Sequence, residues 1–178
     1  MAKQKLLLPV VSLGAEHLVM GYLMRRNILA YKAPPNNEGY DIICIHPDPR
    51  HEPRQGQRSQ VRVQVKSRFA TDATHFTVKD ESLDAFDFAV FVCLNIGRFY
   101  GKYDGTSGEE APEFYTVPRD EVREWLKASN WSYVYLNSEL RKRFEKYKNE
   151  TGFEQVATML GVDRPRRVGD VEIMEPDS

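Results

Sequence analysis

The sequence predicts a mixed α/β or α+β domain built on one central sheet flanked by helices. The first observation is element order: one helical pattern, then a series of strand patterns, then helical patterns again. The second is "DFAVFVCLNI" (87–96), almost wholly apolar, which suits a strand buried on both faces in the middle of a sheet. The third is size. A chain of 178 residues, 41% hydrophobic with nine each of Tyr and Phe, can fill the core of a single domain. That domain is read as 1–163, with 164–178 as a loose C-terminal tail.

The first helix is expected over 13–27, with Ser12 as N-cap. Ala15, Leu18, Val19, Tyr22 and Leu23 form its apolar stripe, and Arg25 and Arg26 suit the negative end of the helix dipole. "APPNNEG" (33–39) is a loop by its Pro, Asn and Gly content. "YDIICIH" (40–46) is a strand, and the polar run 47–60 is a connection. "VRVQVKSR" (61–68) alternates: Val61, Val63 and Val65 share one face, and Arg62, Gln64, Lys66 and Arg68 share the other. A short strand at 75–79 and a turn or helical piece at 82–85 lead to the apolar strand. A Gly-rich excursion (97–112) has room for a strand at 98–103, and "EFYTVP" is a further strand. Pro118 opens a helix over "RDEVREWLKAS", with acids early and a lysine late. Residues 138–149 and 151–160 read as helical.

No apolar run reaches membrane-spanning length. The start "MAKQKLLLPVVSLG" matches a signal peptide poorly, because Pro9 interrupts a short apolar patch. The chain is therefore read as cytoplasmic, with no membrane partner. Cys44 and Cys93 lie in apolar runs and read as small core residues. The four histidines show no HxH or HExxH pattern and there is no CxxC, so zinc chemistry is not expected. A phosphate loop of the GxxxxGK[ST] kind and a GxSxG serine elbow are missing as well.

Net charge is −1, but charge is clustered. Residues 50–68 carry six positive side chains against one negative, Glu52, and "RKRFEKYK" (141–148) carries five against one. Either run, taken alone, reads as a solvated face; clusters of this kind also bind phosphates. On the second reading Arg54, Arg58, Arg62, Arg68, Arg141, Lys142 and Arg143 contact nucleic acid.

Two carboxylates stand in unusual places. Asp41 heads a strand, where Asp is depleted, and a turn cap after Gly39 would account for it in isolation. Glu16 projects about 20° from Leu23, at the edge of the buried stripe, where a first-turn dipole role would also fit. If the strands at 41 and 64 pair with these faces aligned, Asp41 meets Gln64 and Lys66. Asp41 and the Gln64 amide oxygen could then hold a hard cation such as Mg²⁺. Lys66 would position water or neutralise charge on a phosphate, and Glu16 would complete the metal shell directly or through water.

The order Glu16, "GYD" ending in Asp41, then Gln64-Val65-Lys66 resembles the PD-(D/E)xK nuclease superfamily. Asp41 matches the metal-binding Asp, Lys66 the lysine, and Glu16 the helix Glu of resolvase-like and restriction-type members. Gln64 stands in the D/E position, and "EGY" replaces the nominal Pro. The match covers about residues 12–96 as an element order. It implies a restriction-endonuclease-like sheet and a divalent-metal-dependent DNA endonuclease that hydrolyses phosphodiester bonds. The cofactor implied is Mg²⁺ or Mn²⁺. Asp41, Gln64, Lys66 and Glu16 form the catalytic set, and Asp41, Gln64 and Glu16 are the metal ligands. One small chain carries one site, so cutting both strands calls for a dimer or higher homo-oligomer. A neutral amide is a poorer Mg²⁺ ligand than a carboxylate. The other class is therefore a non-catalytic nucleic-acid- or protein-binding protein that keeps the nuclease fold.

Overall fold

A computed structural model describes residues 8–35, 37, 39–69, 75–97, 108–129 and 132–162. Helix α1 spans Leu8–Met24. It begins earlier than the sequence suggested because Pro9 falls in its first turn, where the missing N–H is no loss. It also ends earlier, and Asn27 in the left-handed region (φ 59°) turns the chain into β1, Leu29–Lys32. β2 spans Ile42–Ile45, β3 Gln60–Arg68 and β4 His75–Thr77. A 3₁₀ turn at Asp80–Ala85 leads to β5, Phe88–Cys93. Asn95 (φ 54°) ends the apolar run, and Ile96–Gly97 becomes a separate short strand, β6. β7 spans Gly108–Glu109 and β8 Glu113–Pro118. Helix α2, Arg119–Ser129, follows. β9, Tyr133–Tyr135, was not foreseen. The helix expected over 138–149 is divided into α3, Ser138–Arg143, and a 3₁₀ turn at Glu145–Tyr147. Helix α4 runs Asn149–Leu160. The strand expected over 98–103 and the tail 164–178 lie outside the described residues.

The main sheet has five strands in the order β1-β2-β3-β5-β8. β1–β2, β2–β3 and β5–β8 pair antiparallel, while β3 and β5 run parallel. β5 is buried along its whole length, as its composition demanded.

Two hydrophobic layers sandwich this sheet. On one face Ala15, Val19 and Leu23 of α1 and Phe153, Val156 and Leu160 of α4 pack on Ile42, Cys44, Val63, Val65 and Val90. Leu18, expected in the stripe, is 41% exposed, because it lies about 100° round the helix from Val19. On the other face Ala89, Phe91 and Val117 meet Val122 and Leu126 of α2, Leu140 of α3, and Phe76 and Val134 of the β4–β9 pair. Gln64 pairs in register with Ala89 and Lys66 with Phe91, so both belong to this second face. The single mixed sheet flanked by helices matches the sequence expectation. No helix among the described residues is long and apolar enough to cross a membrane.

Candidate metal and phosphate site

Asp41 sits one residue before β2. Its C=O accepts from Ala33 N–H (2.8 Å) and its N–H donates to Val63 C=O (2.9 Å). Continuing the Ile42–Val63 register sets Asp41 opposite Gln64. Because β2 pairs no further along β3, the Val65 N–H has no strand partner on that side. The Asp41 carboxylate takes its place, accepting at 2.6 Å. A charge-assisted bond of this length fixes the carboxylate at the backbone between Gln64 and Lys66.

Gln64 is 5% exposed. Its Nε2 donates to Gly39 C=O at 3.0 Å, while its Oε1 is buried without a hydrogen-bond partner among the described residues. A buried acceptor left in that state costs about 1–3 kcal/mol, which a cation or a donor would recover. Gly39 is part of the same construction. Its φ is +95°, and a Cβ there would stand 2.2 Å from Ala85 Cβ. Only glycine lets the loop reach under the Asp41 turn and present its carbonyl to Gln64. Gly39 precedes Asp41 by two residues, and nothing local announced that role.

Lys66 is half-buried beside them. Burial pulls its ammonium pKa down, the Asp41 carboxylate opposes that, and Arg68 and Lys79 lower it further. Glu16 is set apart from this trio, on α1, which covers the opposite face of the sheet. Its Oε2 is ion-paired with Lys32 Nζ. Lys32 is the register partner of Ile42, next to Asp41, so Glu16 approaches the same end of the sheet from the other layer.

These groups fit a hard cation by their chemistry. They offer a carboxylate held by the backbone and an unpaired amide oxygen on the same face, with a second carboxylate at the same end of the sheet in the opposite layer. Among the described residues no three of His, Cys, Asp and Glu gather for a metal. The candidate set has only two carboxylates and relies on an amide for its third oxygen.

The expected phosphate-contacting residues separate into groups. Arg54 and Lys142 are exposed. Arg58 and Arg62 both pair with Asp87, whose side chain is 3% exposed. Asp87 also accepts from Arg62 N–H at 2.8 Å, so it anchors the strand entry at 58–62. Arg68 lies 5.6 Å from the Phe76 ring centroid. Arg141 is bound to Glu113 (2.8 Å), the Tyr115 hydroxyl (3.1 Å) and Leu136 C=O (3.1 Å). Arg143 reaches Glu121 and Glu124. His46 and His51 stack on each other at 3.8 Å, which does not converge their nitrogens on one ion. No protein-family profile matches this chain, and no curated protein matches it.

Proposed function

We propose that this chain is a divalent-metal-dependent DNA endonuclease of the PD-(D/E)xK type, with a restriction-endonuclease-like core. The observation that carries the reading is the Asp41 carboxylate bonded to Val65 N–H, with the unpaired Oε1 of buried Gln64 and the half-buried Lys66 on the same face. The order helix, three antiparallel strands, then a parallel strand supports the fold side of the reading.

In this reading Asp41 and Gln64 Oε1 hold Mg²⁺ or Mn²⁺, with Glu16 joining directly or through water. The bound ion would polarise the phosphodiester and lower the pKa of a water. The chain's own work is positional. The Val65 N–H fixes one Asp41 oxygen, so the carboxylate does not reorganise when a cation arrives. The Gly39 carbonyl holds the Gln64 amide so that Oε1, not Nε2, is left to coordinate. Lys66 neutralises charge on the phosphate oxygens or orients the attacking water. Its lowered pKa brings proton exchange nearer to neutral pH than a solvent lysine allows. Exposed Arg54 and Lys142 are available to backbone phosphates. Cutting both strands of a duplex would use two copies of the chain.

The test is a Mg²⁺ and Mn²⁺ titration against linear, supercoiled, single-stranded and branched DNA. Metal-dependent cleavage of at least one form is expected. Salt-sensitive DNA binding without cleavage of any form would return the chain to the non-catalytic alternative.

A further inference from the structure

Glu16 approaches the Asp41 end of the sheet from the opposite layer, and it already carries a cation. Its side chain is 15% exposed and is ion-paired with Lys32, whose side chain is 38% exposed. We infer that Lys32 is a positioning residue of this site: its ammonium is the internal counter-ion of Glu16, and a divalent metal ion competes with it for that carboxylate. Lys32 thereby sets the metal affinity. The inference rests on the metal-dependent reading of Asp41, Gln64 and Glu16 given above.

Three observations carry it. The first is place. Lys32 ends β1 as the partner of Ile42, and the next residue, Ala33, donates its N–H to Asp41 C=O. A backbone hydrogen bond beside Lys32 therefore ties the end of β1 to Asp41. The second is charge. Gln64 contributes no charge, so Asp41 and Glu16 are the two anions available to a cation. Lys32 occupies one of them, and an ammonium and a metal ion cannot share the same carboxylate oxygen without repulsion. The third is the residue type. A lysine on the last position of an edge strand has a flexible four-carbon stem and a solvent-facing exit. It can leave Glu16 without disturbing the sheet. A simple structural pair clamping α1 to β1 would share the first observation but would leave metal affinity untouched.

The experiment is calorimetric Mg²⁺ binding to the full chain, for wild type, Lys32→Met, Glu16→Gln and the double variant, each checked for folding by circular dichroism. Lys32→Gln serves if Lys32→Met folds poorly. Removing the ammonium is expected to tighten Mg²⁺ binding about fivefold, the scale of a partly exposed ion pair. Lys32→Arg is expected to bind as wild type. In the Glu16→Gln background the Lys32 substitution is expected to change nothing. Folded Lys32→Met that binds Mg²⁺ no tighter than wild type overturns the inference, as does tightening that persists without Glu16. The parent reading fails differently. In that case wild type and Asp41→Asn are equally unable to bind the ion, whereas failure of this inference alone leaves Asp41-dependent binding in place.

Discussion

Replacing Gln64 by Glu puts a second carboxylate beside Asp41 at a position only 5% exposed. Two costs follow in the metal-free protein. Gln64 Nε2 donates to Gly39 C=O at 3.0 Å, and an ionised Glu has no proton to give, so that carbonyl loses its partner. Leaving it unpaired costs about 1–3 kcal/mol. The second cost is a buried negative charge next to another, which raises the new carboxyl's folded pKa above its unfolded value of about 4.3. The unfolded chain then gives up its proton first. Between the two pKa values the folded state binds more protons, so stability falls as pH rises from about 4.3 towards the folded value. Together the costs come to roughly 2–4 kcal/mol at neutral pH, or a Tm lower by about 5–15 °C in a chain of this size. A cation between Asp41 and residue 64 reverses the sign. Ligand at about 100 times its Kd adds roughly 2.7 kcal/mol to the folded state, and the charged ligand binds tighter than the amide. The assay is thermal unfolding with and without millimolar Mg²⁺. The variant is expected to start below wild type and to gain more from the metal. Equal Mg²⁺ shifts in both proteins, or a metal-free variant as stable as wild type, would refute the placement of Gln64 Oε1 at a cation site.

Three other outcomes are expected. Gly39→Ala forces a side chain onto φ +95° and against Ala85, costing about 1–3 kcal/mol of strain besides the clash; adding Ala85→Gly should recover the clash but not the strain, as read by denaturant unfolding. Lys66→Met should abolish cleavage while leaving the chain more stable than wild type at neutral pH, because it removes a half-buried ammonium. The depressed Lys66 pKa means that the unfolded state binds more protons above the folded value. Wild type therefore gains stability as pH rises towards about 10.4, and the gap to Lys66→Met should close in pH-dependent melts. Arg54→Ala should lower the slope of log binding constant against log salt by about 0.9 for duplex DNA. Arg62→Ala should lower stability more than that slope, since Arg62 is tied to Asp87; the reverse pattern would mean that Arg62, not Arg54, meets phosphate.

The strand from Val61 to Arg68 was legible because its two-residue period leaves little choice: three valines on one face place Gln64 and Lys66 together on the other. The all-apolar run at 88–93 declared its central position for the same reason. What escaped the sequence depends on contacts between distant residues. Arg58 and Arg62 looked like an open basic patch because Asp87 lies 29 and 25 residues away along the chain and reads locally as the polar start of a strand. Glu16 looked like a free ligand because nothing local pairs it with Lys32. Gly39 looked like an ordinary loop glycine until Ala85 was set against it. β9 is three residues long, too short for alternation to stand out from its surroundings. Helix α1 starts before its expected bound because Ser12, which reads locally as an N-cap, lies inside the helix, and the first turn accepts Pro9.

The central claim is that Asp41 anchors a catalytic cation, and Asp41→Asn tests it most directly. The amide keeps an oxygen for the Val65 N–H, so the loss in stability should stay near 1 kcal/mol, a Tm change of about 2–4 °C. The charge is gone, and with it the anionic ligand. Calorimetric Mg²⁺ binding and plasmid nicking, measured on the same folded preparations, should show metal binding and nicking by wild type. For Asp41→Asn, binding should be lost and nicking should fall at least 100-fold, about 2.7 kcal/mol of transition-state stabilisation. Wild type that neither binds Mg²⁺ at millimolar concentration nor nicks any DNA form, or an Asp41→Asn chain that nicks as fast as wild type, would contradict the account and return Gln64 and Lys66 to the polar face of a strand.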